Sequence, residues 1–213
     1  MLDTGQKIDT KQRILDTAER LIGEQGYTGT SLRQIISEAG VNLAAVHYHF
    51  GSKEDLLDEL ILRKAKPVNE QREALLNQLE EAAGAGPVAV DQLLAAFFQP
   101  MADVGGRYPN FVRLMGRMYA EGMLAAVLRK HFQPTILRFV AALRRALPEL
   151  PENELFSRLQ FMIGAMSHAV CGPPVFPGIL GQEGALPDFG VLIRRLMVFL
   201  DAGFRAPATP EVP

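Results

Sequence analysis

The side chains best suited to recognising another molecule lie between Gly40 and Glu54, in the run G-V-N-L-A-A-V-H-Y-H-F-G-S-K-E. Within it, Leu43 to Phe50 places small residues first and polar aromatic residues after them. Small residues allow a helix backbone to approach base edges closely, and alanine can contact a thymine methyl group. Histidine and tyrosine can donate hydrogen bonds to phosphate oxygens. This short segment therefore predicts contact with nucleic acid.

Apolar residues at helical spacing surround this segment with predicted helices. The pattern indicates a first helix over residues 10–25 and a second that ends near Gly40. A third covers residues 43–50, and a fourth runs from Ser52 to about Ala83. Residues with side-chain oxygens stand where the four helices begin, and we expect them to act as N-caps: Thr10, Thr30, Asn42 and Ser52. Two short helices joined by a turn that contains glycine match the helix-turn-helix description, in which the second helix enters the major groove.

Residues 10–57 resemble the N-terminal DNA-binding domain of the TetR family of bacterial transcriptional regulators. Four pieces carry the resemblance, in order and without gaps: R-I-L-D-T-A (13–18), G-Y-T-G-T-S-L-R-Q-I (26–35), A-G-V-N (39–42) and Y-H-F-G-S-K-E-D-L-L (48–57). The family's usual pattern has Leu-Tyr where this chain has Val46-His47. We therefore expect His47 to take the phosphate contact that the tyrosine normally makes.

The resemblance implies that nine residues contact DNA. Those implied to contact phosphates are Ser31, His47, Tyr48 and Lys53, and those implied to face bases are Arg33, Asn42, Leu43, Ala44 and Ala45. Phosphate contacts fix the position of a protein on DNA, whereas base contacts specify the sequence. Among the base-facing residues, only Arg33 and Asn42 carry strong hydrogen-bonding groups for direct readout. We therefore expect part of the specificity to come from DNA shape.

The N-terminal part is not basic, although nucleic-acid-binding domains usually carry a basic patch. Residues 1–66 hold nine Lys or Arg and ten Asp or Glu, and the whole chain has a formal net charge of −2. A DNA-binding face must therefore come from the arrangement of charge rather than from its sum. The cations expected to face DNA are Lys7, Lys11, Arg33 and Lys53. The acids expected to point elsewhere are Glu19, Glu24, Asp58 and Glu59.

Composition bounds the class of protein. The 213 residues are 48% hydrophobic, rich in Leu, Ala, Arg and Glu and poor in β-branched residues, which predicts an all-α fold. The sequence has no run of about 18 uncharged apolar residues, so we expect no membrane span. The single cysteine, Cys171, cannot form an intramolecular disulfide and fits a cytoplasmic protein.

The resemblance implies about nine helices arranged in two domains. We expect an N-terminal three-helix, helix-turn-helix DNA-binding domain, a larger helical domain for effector binding and dimerisation, and a frayed tail: residues 1–66, 67–205 and 206–213, respectively. Pro67 at the boundary is interpreted either as a break between two helices or as a hinge within one. Residues 123–147 are predicted to form one long helix with a kink at Pro134.

Methionine and aromatic residues are dense in the middle of the chain, and methionine suits pockets that accept varied apolar shapes. The resemblance implies an effector cavity, and ten residues are predicted to line it: Phe97, Phe98, Met101, Phe111, Met115, Met118, Tyr119, Phe161, Met162 and Met166. For each of them, ordinary core packing is the alternative. We expect an apolar or amphipathic small molecule that releases a repressor from its DNA operator by tilting the fourth helix about Pro67.

Residues 159–170 carry apolar side chains on two faces, one for a core and one for a partner. The resemblance implies a homodimer through the last two long helices, and seven residues are assigned to that interface: Leu159, Ile163, Ala165, Val170, Leu192, Leu196 and Phe199. A twofold dimer would present its recognition helices to successive major grooves, about 34–36 Å apart. The long loop over 172–187 is expected either to cover the cavity or to wrap around the partner.

Two functions other than a regulator controlled by an effector are compatible with a helical protein of this size. An enzyme with a helical pocket has no support, because the sequence contains no nucleophile elbow, phosphate-binding loop or paired catalytic carboxylates. His168 and Cys171 have the spacing of metal ligands, but no further residue completes a tetrahedral set, so we expect neither a metal nor a cofactor. A DNA-binding module controlled by another protein would differ in having no apolar cavity.

Overall fold

Every regular element in the described part of the chain is a helix, as the composition predicts. The computed structural model describes residues 4–171, 179 and 188–210, without the side chains of residues 4–9, 104, 105, 170 and 171. Within those limits it contains ten helices: α1 (Thr4–Gln25), α2 (Leu32–Ala39), α3 (Leu43–His49), α4 (Lys53–Ala83), α5 (Val90–Arg107), α6 (Pro109–Ala120), α7 (Leu124–His131), α8 (Gln133–Ala146), α9 (Glu152–Cys171) and α10 (Phe189–Arg205). None of these helices combines the length and the apolar character needed to cross a membrane.

The helices form two compact units. The first unit consists of Met1–Pro67 and Tyr108–His131, and the second of Val68–Arg107 and Phe132–Pro213. The division passes through α4 immediately after Pro67, close to the boundary expected from the sequence. The first unit also includes α6 and α7, which the sequence prediction had placed in the C-terminal domain. The predicted boundaries of the DNA-binding domain and of the effector-binding domain stay a prediction, since a compact unit is not by itself a functional one.

The first unit is built around α1. The buried face of this helix consists of residues no more than 1% exposed: Ile14, Leu15, Ala18, Leu21 and Ile22. Their spacing is that of one helix face. α2, α3 and α6 pack against α1, and Ile35 of α2 and Val46 of α3 are both fully buried. The segment that contains α3 is therefore held by a core that includes α6, a helix from the middle of the chain.

The second unit has a larger core, in which α10 packs against α5 and α9, and α5 packs against α8. Deeply buried members of this core come from five helices, α4, α5, α8, α9 and α10, and include Leu76, Leu93, Phe98, Ala142, Leu155, Ile193 and Phe204. Partly buried Phe97, Met101, Met162 and Met166 pack against the same core. Several residues predicted to line an effector cavity thus lie at the edge of this core.

Arg158 fastens the end of α10 to α9. Its buried guanidinium donates hydrogen bonds of 2.8–2.9 Å to the carbonyl oxygens of Gly203, Phe204, Ala206 and Pro207, and it pairs with Glu154 at 2.9 Å. The chain therefore keeps specific contacts beyond Arg205, where the sequence suggested fraying, and Thr209 donates a further hydrogen bond to Glu154 at 3.2 Å.

Two predicted helix starts are wrong. α1 begins at Thr4, before the expected cap Thr10. The cap of α2 is Ser31, whose extended backbone lets its hydroxyl oxygen accept the N–H of Gln34. Thr30 is 1% exposed and instead donates its hydroxyl to the carbonyl of Gly26. A buried threonine satisfied in this way leaves the capping position to its exposed neighbour.

The two prolines act differently from each other. Residues 123–147 form two helices rather than one, because α8 restarts after Phe132 with Pro134 in its first turn, where a proline's missing N–H is tolerated. This break accounts for the tenth helix. Pro67 lies inside a continuous α4, so the interpretation of Pro67 as a break between two helices is wrong. Its role as a hinge stays a prediction.

Candidate nucleic-acid interface

A tight turn sets the direction of α3 relative to α2. α2 ends at Gly40, whose φ of 62° and ψ of 38° lie in the left-handed region that favours glycine. Asn42 then caps α3, because its side-chain Oδ1 accepts the backbone N–H of Ala45 at 2.8 Å. Ser52 caps α4 in the same manner by accepting the N–H of Asp55 at 3.0 Å. Both of these predicted caps are confirmed.

α3 has one buried face and one exposed face. Val46 is fully buried and Phe50 is 8% exposed, so these residues fix the helix to the first unit. On the other side Leu43 is 53% and Tyr48 67% exposed. Ala44 and His47 are also exposed, while Ala45 is half-buried. An exposed leucine and an exposed tyrosine on a short, capped helix form a surface suited to a partner.

Capping restricts what Ser31 and Asn42 can offer DNA. Asn42 already uses one lone pair of its side-chain oxygen for the cap, which leaves the amide NH₂ as its unengaged donor. It can donate to one base acceptor, whereas the bidentate pair with adenine, which uses both amide atoms, would need the capping oxygen to accept a second hydrogen bond. Ser31 accepts the N–H of Gln34 at 3.1 Å, yet its hydroxyl hydrogen stays available for a phosphate.

His47 has a defined tautomer. Its Nδ1 lies 3.0 Å from the carbonyl oxygen of Gly51, and because a carbonyl only accepts, Nδ1 must carry the hydrogen. In the neutral ring Nε2 then presents a lone pair, which cannot donate to a phosphate oxygen. Only the doubly protonated ring can make the phosphate contact predicted for His47.

Arg33 and Lys53, the two cations predicted to contact DNA, differ in how many of their hydrogen-bond donors are already engaged within the protein. Arg33 on α2 is exposed and has no ion-pair or hydrogen-bond partner among the described residues. Lys53 is half-buried, its Nζ donates to the carbonyl of Tyr27 at 2.6 Å and lies 3.9 Å from the centre of the Tyr27 ring. Burial lowers the pKa of Lys53, although neighbouring Glu54 opposes the shift. Lys53 thus has donors left for DNA but also a structural role.

Lys11, which was predicted to face DNA, pairs with one of the acids that were expected to point elsewhere. Its Nζ pairs with Glu59 at 2.7 Å and lies 5.9 Å from the centre of the Phe50 ring. The expectation that Glu59 points elsewhere is therefore wrong, because Glu59 neutralises a cation next to α3. The side chain of Lys7 lies outside the described residues.

Sequence reasoning missed Glu121, which holds the turn between α1 and α2. This residue follows α6, and its carboxylate accepts the backbone N–H of Tyr27 at 2.9 Å and that of Thr28 at 3.1 Å. It also accepts the Thr28 hydroxyl at 2.9 Å. Since Lys53 binds the carbonyl of Tyr27, the turn is held by an anion on its N–H groups and a cation on its carbonyl. We name this set of contacts the Glu121 clamp.

Two further residues complete the Glu121 clamp. Gly26 ends α1 with a φ of +83°, and a Cβ placed there would lie 2.0 Å from Glu121 Oε1. Arg117 of α6 donates to the carbonyl of Glu24 at 2.7 Å, at the end of α1. No local pattern could have shown these contacts, since they join residues more than ninety positions apart.

Comparison with known sequences assigns this architecture to a family. The sequence model described as "Bacterial regulatory proteins, tetR family" matches residues 14–60. The model described as "Tetracyclin repressor-like, C-terminal domain" matches residues 93–203, more than half of the chain. The chain belongs to the TetR family. The resemblance of residues 10–57 is thereby confirmed and extended over the C-terminal part.

Individual curated relatives of the TetR family match only part of the chain. The probable regulator YttP of Bacillus subtilis is 28% identical over 62% of this chain and 59% of its own length. The regulator AcrR of Shigella flexneri is 46% identical over 24% of each chain. The chain therefore spans less than two thirds of the length of these curated relatives.

Solved TetR structures share the fold over nearly the whole chain. A regulator from Shewanella superposes with a TM-score of 0.62 at 19% identity, covering 90% of this chain and 95% of its own. FadR from Bacillus subtilis, solved in complex with stearoyl-CoA, gives 0.60 at 17% identity, covering 90% and 98%. Identities this low establish the fold alone.

The residues predicted to line a TetR effector cavity are divided between the units. Phe111, Met115, Met118 and Tyr119 belong to the first, and Phe97, Phe98, Met101, Phe161, Met162 and Met166 to the second. Phe98 is fully buried, whereas Tyr119 is 48% and Phe161 69% exposed. Two described hollows of the second unit, of about 410 and 340 Å³, involve none of the ten. The cavity therefore stays a prediction.

The predicted TetR dimer residues lie on both sides of α9 and α10. Leu196 is 7% exposed within the core, so it does not face outward. Leu159, Ile163, Ala165 and Leu192 are half-buried, and Phe199 is 69% exposed. The side chain of Val170 and the 172–187 loop fall outside the described residues, Ile179 excepted.

In the part of the chain that the structure describes, no group of three or more His, Cys, Asp or Glu residues is placed to hold a metal ion. The side chain of Cys171 lies outside the described residues, so the expectation that it does not bind a metal together with His168 stays a prediction.

Proposed function

We propose that this TetR-family protein is a dimeric, sequence-specific repressor that a small apolar or amphipathic effector releases from its operator. The observation that carries the proposal is the exposed face of α3, with Leu43 and Tyr48 more than half exposed on a helix capped at its start and fixed by Val46. A buried anchor under an exposed recognition face suits insertion into a major groove.

DNA contact is proposed at both edges of that face. Tyr48, the free hydroxyl hydrogen of Ser31 and the remaining donors of Lys53 contact phosphates, with His47 joining them when its ring is doubly protonated. Arg33 reads a base, since bidentate pairing of arginine with guanine is the commonest specific contact. Leu43 and Ala44 supply apolar contact, and Asn42 donates a single hydrogen bond.

Fluorescence anisotropy with duplexes selected from a random library tests this proposal. Arg33→Ala should weaken binding of the selected duplex about 5- to 150-fold and relax the preference at one base pair. Arg129→Ala is the matched control, since Arg129 is exposed on α7 of the same unit and removes the same charge. Failure of the wild-type protein to select any duplex, or equal losses for the two variants, would contradict the proposal.

Salt dependence gives an independent measure of the interface. With Lys53 as the cationic phosphate contact in each subunit, a dimer releases about two counterions, which predicts a slope of log K against log salt of about −2. Lys53→Ala should make the slope shallower by about 2 in a dimer, whereas Arg33→Ala should leave it nearly unchanged because Arg33 contacts a base. A slope near zero for the wild-type protein would exclude the proposed contacts.

Dimerisation is proposed through the outer face of α9 and α10. Phe161 on α9 and Val198 and Phe199 on α10 are each more than two thirds exposed, and large exposed apolar residues on adjacent helices suit an isologous partner. Phe199→Glu should convert a dimer to a monomer in light-scattering measurements. Leu137→Glu is the control, because Leu137 is an apolar residue 57% exposed on α8. An unchanged dimer in Phe199→Glu would refute this surface.

Effector control is supported by Phe97, Met101, Met162 and Met166, which pack partly buried against the core of the second unit. The likeness to FadR in complex with stearoyl-CoA favours an amphipathic ligand. Linkage requires that a ligand that weakens DNA binding be itself bound more weakly in the presence of DNA, by the same factor. Ligand affinity should therefore be titrated with and without duplex, and equal values would exclude allosteric release.

A further inference from the structure

Arg72 is a buried cation without an acidic partner. It lies on α4 in the second unit and is 4% exposed. In the described part of the chain its Nε donates to the carbonyl of Phe97 at 2.8 Å, and no carboxylate forms an ion pair with it there. The carboxylate of the adjacent Glu73 is engaged by the hydroxyl of Thr135 at 2.7 Å.

The surroundings of Arg72 are aromatic. The guanidinium carbon lies 3.9 Å from the centre of the Phe97 ring and 6.0 Å from that of Phe132. Phe97 in turn contacts the rings of Phe98 and Phe139, with centroids 5.3 and 5.2 Å apart. A cation on an aromatic face is stabilised, but an aromatic ring does not replace an anion.

Arg72 keeps its charge despite this burial. Burial alone lowers the pKa of Arg72 to about 9, which leaves the guanidinium protonated at neutral pH. The group has five N–H donors, and the single bond to Phe97 uses the Nε hydrogen. The two terminal amino groups, which form the fork that matches a carboxylate, are therefore left for another acceptor.

Stability of the fold does not explain an arginine at this position. Buried ions are often replaced by apolar residues without loss, and an unpaired buried ion is costly. Arg158, in the same unit, shows how a structural buried arginine is satisfied, since it binds four backbone carbonyls and pairs with Glu154. Arg72 lacks such a set, and its terminal amino groups are not among the described buried side-chain atoms that have no partner. These groups therefore reach solvent, and a ligand acceptor can approach them from there.

We propose that Arg72 binds the carboxylate of an amphipathic effector whose apolar part lies along Phe97 and the neighbouring aromatic and methionine side chains. The inference rests on the effector control proposed above and adds the chemical class of the ligand. A planar carboxylate takes two parallel hydrogen bonds from the guanidinium fork, and the apolar part displaces water from the aromatic surface.

The first test compares two buried arginines in the ligand-free protein. Arg72→Met should leave Tm equal to or above that of the wild type, because it removes an unpaired charge and keeps the volume. Arg158→Met, the matched control, should lower Tm by about 6 °C or more, because it strips donors from four carbonyls. A similar loss in both variants would show that Arg72 serves the fold and would overturn the proposal.

The second test measures ligand preference by calorimetry. Dodecanoate and 2-naphthoate, each beside its methyl ester, are titrated into the full-length wild-type protein and into Arg72→Met. The wild type should bind at least one carboxylate about tenfold or more tightly than its ester, and Arg72→Met should lose that preference while it still binds the ester. Esters that bind the wild type as tightly as the carboxylates, a preference retained in Arg72→Met, or no carboxylate binding would each overturn the inference.

DNA binding, measured on the same samples, separates this inference from the proposed function. If the wild type binds its selected duplex and neutral ligands release it, the regulator is supported and only the role of Arg72 fails. If no duplex is bound, the proposed function itself fails. Arg72→Met without ligand should bind the duplex as the wild type does, since its side chain lies outside the unit that contains α3.

Discussion

Replacing Glu121 by glutamine should loosen the turn that precedes α2. The carboxylate accepts three hydrogen bonds, from the backbone N–H groups of Tyr27 and Thr28 and from the Thr28 hydroxyl. Glutamine keeps the shape but has one acceptor oxygen, so at most the two Thr28 bonds on one oxygen survive, without charge assistance. A hydrogen bond to a charged group contributes about 1.5–3 kcal/mol and a neutral one about 1 kcal/mol. After allowance for partial exposure, we expect E121Q to lower the free energy of unfolding by about 2 kcal/mol.

Thermal and denaturant unfolding measure this effect. In a chain of 213 residues, a loss of about 2 kcal/mol corresponds to a fall in Tm of about 4–8 °C. Because the turn leads to Ser31, the variant should also bind operator duplex more weakly at a temperature where it is folded. Glu24→Gln is the matched control, since Glu24 makes an exposed pair with Arg20 one turn away, and such pairs contribute less than about 1 kcal/mol. Equal Tm and equal affinity for the two variants would refute the Glu121 clamp.

Three further predictions follow from single residues. Gly26→Ala should destabilise the protein more than E121Q, because a φ of +83° strains any residue with a Cβ and because the new Cβ would push the Glu121 carboxylate out of its hydrogen bonds to the turn. A double-mutant cycle with Glu121→Ala should give losses that are less than additive. Arg158→Met should lower the free energy of unfolding by about 3–5 kcal/mol in urea titrations, and a loss below 1 kcal/mol would show that its carbonyl contacts are dispensable. Burial, reinforced by a hydrogen bond to Glu54, raises the pKa of Tyr27 from 10.0 to about 12. The neutral hydroxyl therefore contributes to the free energy of unfolding below pH 10, and this contribution is lost as the pH rises towards 12. Tyr27→Phe should therefore remove the last tyrosinate absorbance to develop, and an unchanged titration curve would contradict this assignment.

Local sequence signals were sufficient for the recognition helix. The helix predicted over residues 43–50 corresponds to α3 (Leu43–His49), because the signals that define it are local. Asn42 and Ser52 were recognised as caps for the same reason, since a cap acts within three residues of its own position. The family resemblance added the DNA function, which is a property of a long ordered motif rather than of any one residue.

Contacts between distant segments could not be predicted from the sequence. Glu121 reaches Tyr27 across 94 positions, and nothing near Glu121 in sequence distinguishes it from a solvated acid at a helix end. The same limit applies to Thr30, where tertiary burial overrides a good local capping residue. Density of methionine and phenylalanine likewise could not separate buried Phe98 from exposed Phe161, since composition does not specify which face packs inward.

The nearly neutral first unit is consistent with DNA binding once its ion pairs are considered. Four cations of this unit pair with acids from other helices: Lys11 with Glu59, Arg20 with Glu38, Arg63 with Asp16 and Glu19, and Lys130 with Asp58. Arg33, which is proposed to read a base, has no such partner in the described residues. The acids of this unit therefore neutralise several cations that would otherwise attract any duplex, and this lowers the non-specific affinity. A regulator must find its operator among a large excess of other DNA sites. A low non-specific affinity raises the ratio of operator affinity to non-specific affinity, and discrimination depends on this ratio even when few contacts hold the operator.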